Sequence, residues 1–180
     1  LSQPFEVVTG VKQGCLLSPM LFSIVIDWVM RTTTEEPRGI RWKMTRRLED
    51  LDFADDICLL SHTRSDIQAK TNSLQESAAK TGLKVNTKKT KKMRVNAQQT
   101  ESIMLEGNPL EEVTEFTYLG SVVSKEGGTN EDIQARIRKA RHAFSMLKPI
   151  WRDRPITLKT KMRIFNTNVK TVLLYGSESW

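Results

Sequence analysis

Leu51-Asp52-Phe53-Ala54-Asp55-Asp56-Ile57-Cys58-Leu59-Leu60 is the stretch whose reading decides the fold. Two runs suited to extended chain, 48–54 and 57–61, flank an acidic pair, which predicts a strand, a tight turn and a strand with Asp55 and Asp56 at the tip of a hairpin. On a regular strand neighbouring side chains point to opposite faces, so two adjacent carboxylates could not reach one ion; in a turn they can. No basic residue lies between Glu49 and His62. Carboxylates gathered in this way make a hard oxygen site of the kind Mg²⁺ accepts together with waters and substrate phosphates. Two such ions can clamp the attacking and leaving oxygens of a phosphoryl transfer. Asp-Asp is also ordinary turn chemistry, so the pair takes its meaning from its surroundings.

Upstream, residues 5–8 read as a short strand running into the loop Thr9-Gly10-Val11-Lys12-Gln13-Gly14. Ser18 is placed as an N-cap and Pro19 as the first helical residue, opening a helix to about Arg31. Its apolar residues (Met20, Leu21, Phe22, Ile24, Val25, Ile26, Trp28, Val29, Met30) surround the axis, which predicts burial on most sides, Trp28 included. A further strand is expected at 40–44. Downstream, Ile67, Leu74 and Ala78 keep helical spacing across 65–81, and Gly82 is placed to end that helix as a left-handed cap. Short strands are expected at 83–86, 92–96, 102–105 and 116–123, with the tightest turn at Gly107-Asn108-Pro109. After Gly127-Gly128 the pattern becomes helical. Thr129 or Asn130 caps one helix with the stripe Ile133, Ile137, Ala140, Phe144 and Leu147, and Thr157 starts another with Leu158, Met162, Phe165, Val169 and Val172.

Composition bounds the rest. Of the 180 residues 38% are hydrophobic and 27% charged, which excludes disordered, collagen-like and low-complexity chains. The longest apolar stretch, 20–30, contains Asp27 and is shorter than the roughly 20 residues a membrane span needs. Cys15 and Cys58 make no disulfide framework and, with only His62 and His142, no zinc spacing. Both are read as small buried hydrophobes in a reducing, intracellular setting, nuclear or cytoplasmic. The net charge of +7 is uneven. Lys84, Lys88, Lys89, Lys91, Lys92 and Arg94 meet no acid, ten basic residues between Arg136 and Arg163 meet only Asp153, and residues 101–126 carry six acids against Lys125. Basic runs of this kind suit a phosphate backbone as well as a solvated face. Trp151, between Ile150 and Arg152, has the flanks of a base-stacking residue, although packing is the preferred reading.

Four motifs in order then carry a family resemblance. Val11-Lys12-Gln13-Gly14-Cys15-Leu16-Leu17-Ser18-Pro19-Met20-Leu21-Phe22, the Phe53-Ala54-Asp55-Asp56 hairpin, Gly82-Leu83-Lys84-Val85-Asn86-Thr87-Lys88-Lys89-Thr90 and Phe116-Thr117-Tyr118-Leu119-Gly120-Ser121 together resemble the reverse transcriptases of non-LTR retrotransposons. Leu174-Tyr175-Gly176-Ser177-Glu178-Ser179-Trp180 looks like a recurring segment downstream of their core. The resemblance implies an α+β fold, with the palm of a right-hand polymerase over 1–124 and the start of a helical thumb over 125–180. It implies RNA-directed DNA synthesis, a nucleotidyl transfer with two Mg²⁺ ions, an RNA template, a DNA primer and deoxynucleotides. Residue by residue, Gln13 and Gly14 match the loop near nucleotide and template, with Phe53 beside the acidic pair. Asp55 matches the first catalytic, metal-binding aspartate, and Asp56 its more supportive neighbour. Lys89 matches the lysine near the departing pyrophosphate, with Lys88 a close competitor. Tyr118, Leu119 and Gly120 match the hairpin that grips the primer end. Arg136, Arg138, Lys139 and Arg141 are expected to track the duplex backbone, a role the resemblance favours over a plain solvated face. Alanine at position 54 favours a reverse transcriptase over viral RNA-dependent RNA polymerases, which usually have glycine before their pair.

One element of the resemblance is unmatched. The family's further aspartate belongs upstream of the glutamine-glycine loop, and Glu6 is the only acid before Gln13. The chain also begins without Met, so a piece of a longer protein is expected, one that does not polymerise by itself. The rival readings are a non-catalytic nucleic-acid-binding remnant and a protein-interaction domain of a decayed element.

Overall fold

Glycine, proline and capping residues divide this chain into short elements, and the computed structural model describes them over residues 14–44, 46–95 and 101–180. They form two compact units: 14–90 with 101–111, and 91–95 with 112–180. The strand expected at 5–8 and most of the loop at 9–14 lie outside the described residues.

In the first unit α1 (Ser18–Thr33) starts from Leu17 as the cap residue, so Ser18 is the first helical residue and not the cap expected of it. Its buried stripe is Ile26, Val29, Met30 and Thr33, at i, i+3, i+4 and i+7. The expectation of burial on most sides is corrected. Met20, Leu21 and Ile24 are exposed and Trp28 is 44% exposed, because α1 packs one face on α2 (Arg64–Lys80). Thr63 caps α2 by accepting the Asp66 amide at 3.1 Å. The helix ends as expected: Gly82 is left-handed (φ 77°), its amide donates to Ala79 O and the Leu83 amide to Ala78 O, the two bonds of a Schellman motif.

Between the helices lie two antiparallel hairpins, β1 (Ile40–Lys43) with β2 (Arg46–Leu48), and β3 (Asp50–Phe53) with β4 (Asp56–Leu59). The expected continuous strand 48–54 breaks at Glu49. Gly39 packs so closely on this break that a Cβ there would lie 2.2 Å from the Leu48 carbonyl oxygen. A third pair, β6 (Met104–Leu105) with β7 (Asn108–Pro109), turns at Glu106-Gly107, one position before the expected turn. Both turn residues are left-handed, as a type I′ turn requires. Gln68 on α2 holds β6 like a neighbouring strand, its amide accepting Met104 N at 2.7 Å and donating to Met104 O at 2.8 Å. Ile103 and Leu105 are buried there.

The second unit opens on β5 (Lys91–Lys92), which pairs with β8 (Glu111–Glu112). The strand expected over 116–123 is a hairpin, β9 (Glu115–Tyr118) with β10 (Ser121–Ser124), turning at Leu119-Gly120. α3 (Asn130–Met146) packs on β10. Its buried residues are Asp132, Ala135, Arg136 and Ala140, whereas Ile133 and Ile137 of the expected stripe are half-buried and Phe144 is exposed. Phe144 instead stacks on Trp151 of α4 (Lys148–Arg152), at 5.2 Å between ring centroids, and Trp151 donates to its carbonyl at 2.7 Å. The helix expected from Thr157 is α5 (Leu158–Phe165), a π-helical turn (Asn166–Lys170) and α6 (Thr171–Leu174), with Thr157 accepting the Thr160 amide. The β9–β10 hairpin belongs to the same compact unit as the helices that follow it. Cys15 is exposed and Cys58 half-buried, which corrects the reading of both as core. Among the described residues no helix is long and apolar enough to cross a membrane.

Candidate active site

Phe53 pairs with Asp56, leaving Ala54 and Asp55 as the two central residues of the turn. Ala54 is left-handed (φ 56°). Only glycine adopts that conformation freely, so the position carries local strain. Phe53, Asp55 and Asp56 are all exposed, Phe53 by 65%. Asp50 and Asp52 share the opposite face of β3 from Phe53. Burial, then the charge of Asp52, pushes the Asp50 carboxyl above its ordinary value. The tip therefore presents two accessible carboxylates in an acidic setting. Among the described residues no group of three or more His, Cys, Asp or Glu side chains is placed to hold a metal. The donors present suit Mg²⁺, which commonly takes one or two protein carboxylates and completes its shell with waters and phosphates.

The base of the same hairpin holds a feature that composition conceals. Lys70 of α2 is 1% exposed, and its ammonium donates to the carbonyls of Glu49 at 2.8 Å and Leu60 at 2.9 Å and pairs with the Glu49 carboxylate. Burial opposes the Glu49 charge, but Lys70 and the amides of Gly39 and Arg38 outweigh it and hold the carboxyl below its ordinary value. Lys70 thereby fastens both strands to α2 at the end opposite Asp55. Its place between Ile67 and Leu74 on the inward stripe was the signal for it, since a lysine there must be buried or spoil the packing.

Residues 83–86 form no strand. Asn86 Oδ1 instead accepts the amides of Lys88 and Lys89 at 3.2 and 3.1 Å, and Thr90 Oγ1 donates back to Asn86 O at 2.8 Å. The Asn and Thr of the motif build a turn, and Lys88 and Lys89 both ride on it exposed. Further along the same basic run Lys92 and Arg94 both pair with Glu112, which pulls its carboxyl down to about 2. Gln13 lies outside the described residues, and Gly14 is exposed at φ 85°.

Tyr118, Leu119 and Gly120 form the end of the β9–β10 hairpin, with Leu119 (φ 48°) and Gly120 (φ 85°) both left-handed in another type I′ turn. Arg138, Lys139 and Arg141 are exposed on α3. Arg136 is not with them. It is 5% exposed, and its guanidinium is taken up by the Gly120 carbonyl at 2.7 Å and the Tyr175 ring at 4.6 Å, which corrects its expected place on a nucleic-acid face.

Comparison with known proteins bears on what this arrangement belongs to. The sequence pattern of the family described as reverse transcriptase (RNA-dependent DNA polymerase) matches residues 1–123, and that of a domain of unknown function matches 143–175. A transposon-derived protein of Caenorhabditis elegans is 32% identical over 140 residues, 75% of this chain and 50% of its own. The retrovirus-related Pol polyprotein from type-1 retrotransposable element R2 of Popillia japonica is 28% identical over 183 residues, 94% of this chain and 28% of its own. The RNA-directed DNA polymerase from transposon BS of Drosophila melanogaster is 26% identical over 190 residues, 99% of this chain and 20% of its own. The chain spans about half the length of the nematode relative and a smaller share of the two insect proteins. The family match covers every motif from Gln13 to Gly120. The chain belongs to the reverse transcriptase (RNA-dependent DNA polymerase) family, among those of non-LTR retrotransposons.

Proposed function

We propose that the β3–β4 hairpin is the catalytic hairpin of an RNA-directed DNA polymerase, with the first unit serving as palm and the helices after β10 as the start of a thumb. The observation that supports this best is that Asp55, in the two-residue turn, and Asp56, the first residue of β4, are both exposed in a segment without a basic residue from Glu49 to His62. Two Mg²⁺ ions, when bound, would neutralise charge on the attacking primer 3′-hydroxyl and on the phosphates of the deoxynucleotide. Asp55 is the principal ligand and Asp56 its support. Lys89, or Lys88 beside it, offsets charge on the departing pyrophosphate. The Tyr118-Leu119-Gly120 turn seats the primer end, and Arg138, Lys139 and Arg141 neutralise the phosphate backbone. Lys70 keeps the hairpin base fixed while its strained tip meets substrate.

Two carboxylates leave positioning of the phosphates incomplete, and phosphoryl transfer depends on positioning. The 180-residue chain is therefore expected to bind template–primer without extending it. In a chain lengthened to match its relatives, Asp55→Ala should abolish primer extension on an RNA template and leave template–primer affinity nearly unchanged. Extension that survives Asp55→Ala would contradict the assignment, and Mg²⁺-dependent extension by the 180-residue chain would contradict the expectation that it binds without extending.

A further inference from the structure

We infer that Arg136 and Asp132 are positioning residues for the primer-end turn, and that the downstream segment 175–180 sets them, so that turn and segment work as one latch. The inference rests on the primer-end reading of Tyr118-Leu119-Gly120 given above.

Three consecutive positions after Leu119 are each held by a side chain of α3. Arg136 Nη2 donates to Gly120 O at 2.7 Å and lies 3.5 Å from Ser121 Oγ, and Asp132 Oδ1 accepts the Val122 amide at 2.9 Å. A hairpin of two four-residue strands is marginal alone, and Leu119 adds the cost of a left-handed side-chain residue. Its shape is therefore set from outside, by these bonds.

The residues that hold the turn are themselves held by the downstream segment. Trp180 Nε1 donates to Asp132 Oδ2 at 3.0 Å, and the Tyr175 ring lies 4.6 Å from the Arg136 guanidinium carbon, inside cation–π range. Asp132 and Arg136 are each 5% exposed. Burial opposes the Asp132 charge, but the Val122 amide, the Trp180 indole and the cations of Arg136 and Lys139 outweigh it and hold the carboxyl below its ordinary value. Among the described residues Arg136 Nε has no hydrogen-bond acceptor, and it sits 3.8 Å from Asp132 Oδ1, so the guanidinium is oriented by its Gly120 and Tyr175 contacts. The fit leaves little slack. A Cβ on Gly176 would lie 3.2 Å from Ser121 Oγ, and one on Gly120 would lie 3.5 Å from Arg136 Nη2 and 3.7 Å from Tyr175 Cε1. A shift of the downstream segment is thus passed through two charged side chains to the backbone of the turn.

The test uses the full chain with Trp180→Phe, which keeps an aromatic ring and loses the donor, and Arg136→Lys, which keeps the charge and loses the guanidinium. Hydrogen exchange is read over 118–124. Fluorescence anisotropy compares an RNA–DNA hybrid with a recessed DNA 3′-end against a blunt one. Both variants should speed exchange over 118–124 by about tenfold or more. Both should lose the preference for the recessed end and keep blunt-hybrid affinity within about twofold, because Arg138, Lys139 and Arg141 are untouched. Unchanged exchange in Trp180→Phe, the milder variant, would overturn the latch. Faster exchange with the recessed-end preference intact would reduce it to a structural brace and overturn the positioning role. A wild-type chain without any recessed-end preference refutes the primer-end reading and the positioning role with it, while the exchange data still decide separately whether the latch exists.

Discussion

Lys70 and Glu49 place a buried ion pair at the foot of the acidic hairpin, and its consequences follow from the charges alone. Removing one partner of such a pair leaves the other uncompensated. Lys70→Met is expected to destabilise the chain by about 3 kcal/mol in urea unfolding, with the Glu49→Gln/Lys70→Met double variant recovering part of the loss. Glu112 allows a pH prediction. Its folded-state carboxyl titrates at about 2 against an ordinary 4.5, the bonds from Arg94 and Lys92 being the main cause. A lowered value stabilises above the ordinary one and is lost as pH falls through the folded one. Wild type should therefore exceed Glu112→Gln in stability above pH 4.5, and the advantage should vanish as pH falls from 4.5 to about 2. Neither pair was legible in the sequence. A lysine or arginine is by default a surface residue, and only the register of Lys70 within the Ile67–Leu74 stripe marked one member of either pair as inward.

Elements with local signals were the legible ones. Gly82 ending α2, Thr157 capping α5 and the β3–β4 hairpin each depend on residues close in the chain, although the two-residue turn falls on Ala54-Asp55, one position before the expected Asp55-Asp56. Elements decided by distant partners were not. Half of α1 is exposed although its sequence is apolar all round, and 83–86 forms no strand but leads into a turn over 86–90 that Asn86 closes with its own side chain. The Leu119-Gly120 turn lacks the Asn-Gly or Asp-Gly signature of its type, so the residue pattern alone read 116–123 as one strand, and only the resemblance implied a hairpin at 118–120. Two glycines separate local from distant causes. Gly82 is left-handed and, among the described residues, nothing stands within 4 Å of where a Cβ would sit, so Gly82→Ala should cost about 1 kcal/mol, the backbone penalty alone. At Gly39 a Cβ would strike the Leu48 carbonyl oxygen at 2.2 Å, so Gly39→Ala must move backbone and should cost distinctly more in the same thermal unfolding experiment. Equal losses would show that the Gly39 contact relaxes freely.

Across the whole molecule the charge is sorted. The acidic hairpin lies in one compact unit, and Arg138, Lys139 and Arg141 stand exposed in the other, while Lys92 and Arg94 of the first basic run are occupied with Glu112. The net charge of +7 thus overstates what is offered to a phosphate backbone. The family match places this chain among reverse transcriptases, and the catalytic role of the hairpin rests on whether its tip binds a divalent cation. Paramagnetic line broadening of backbone amides during Mn²⁺ titration of the full chain tests that most directly. Broadening should centre on Ala54, Asp55, Asp56 and Ile57 and disappear in Asp55→Ala. Broadening centred on the acidic stretch around Glu111 and Glu112, or left unchanged by Asp55→Ala, would contradict the assignment of the hairpin as the metal site.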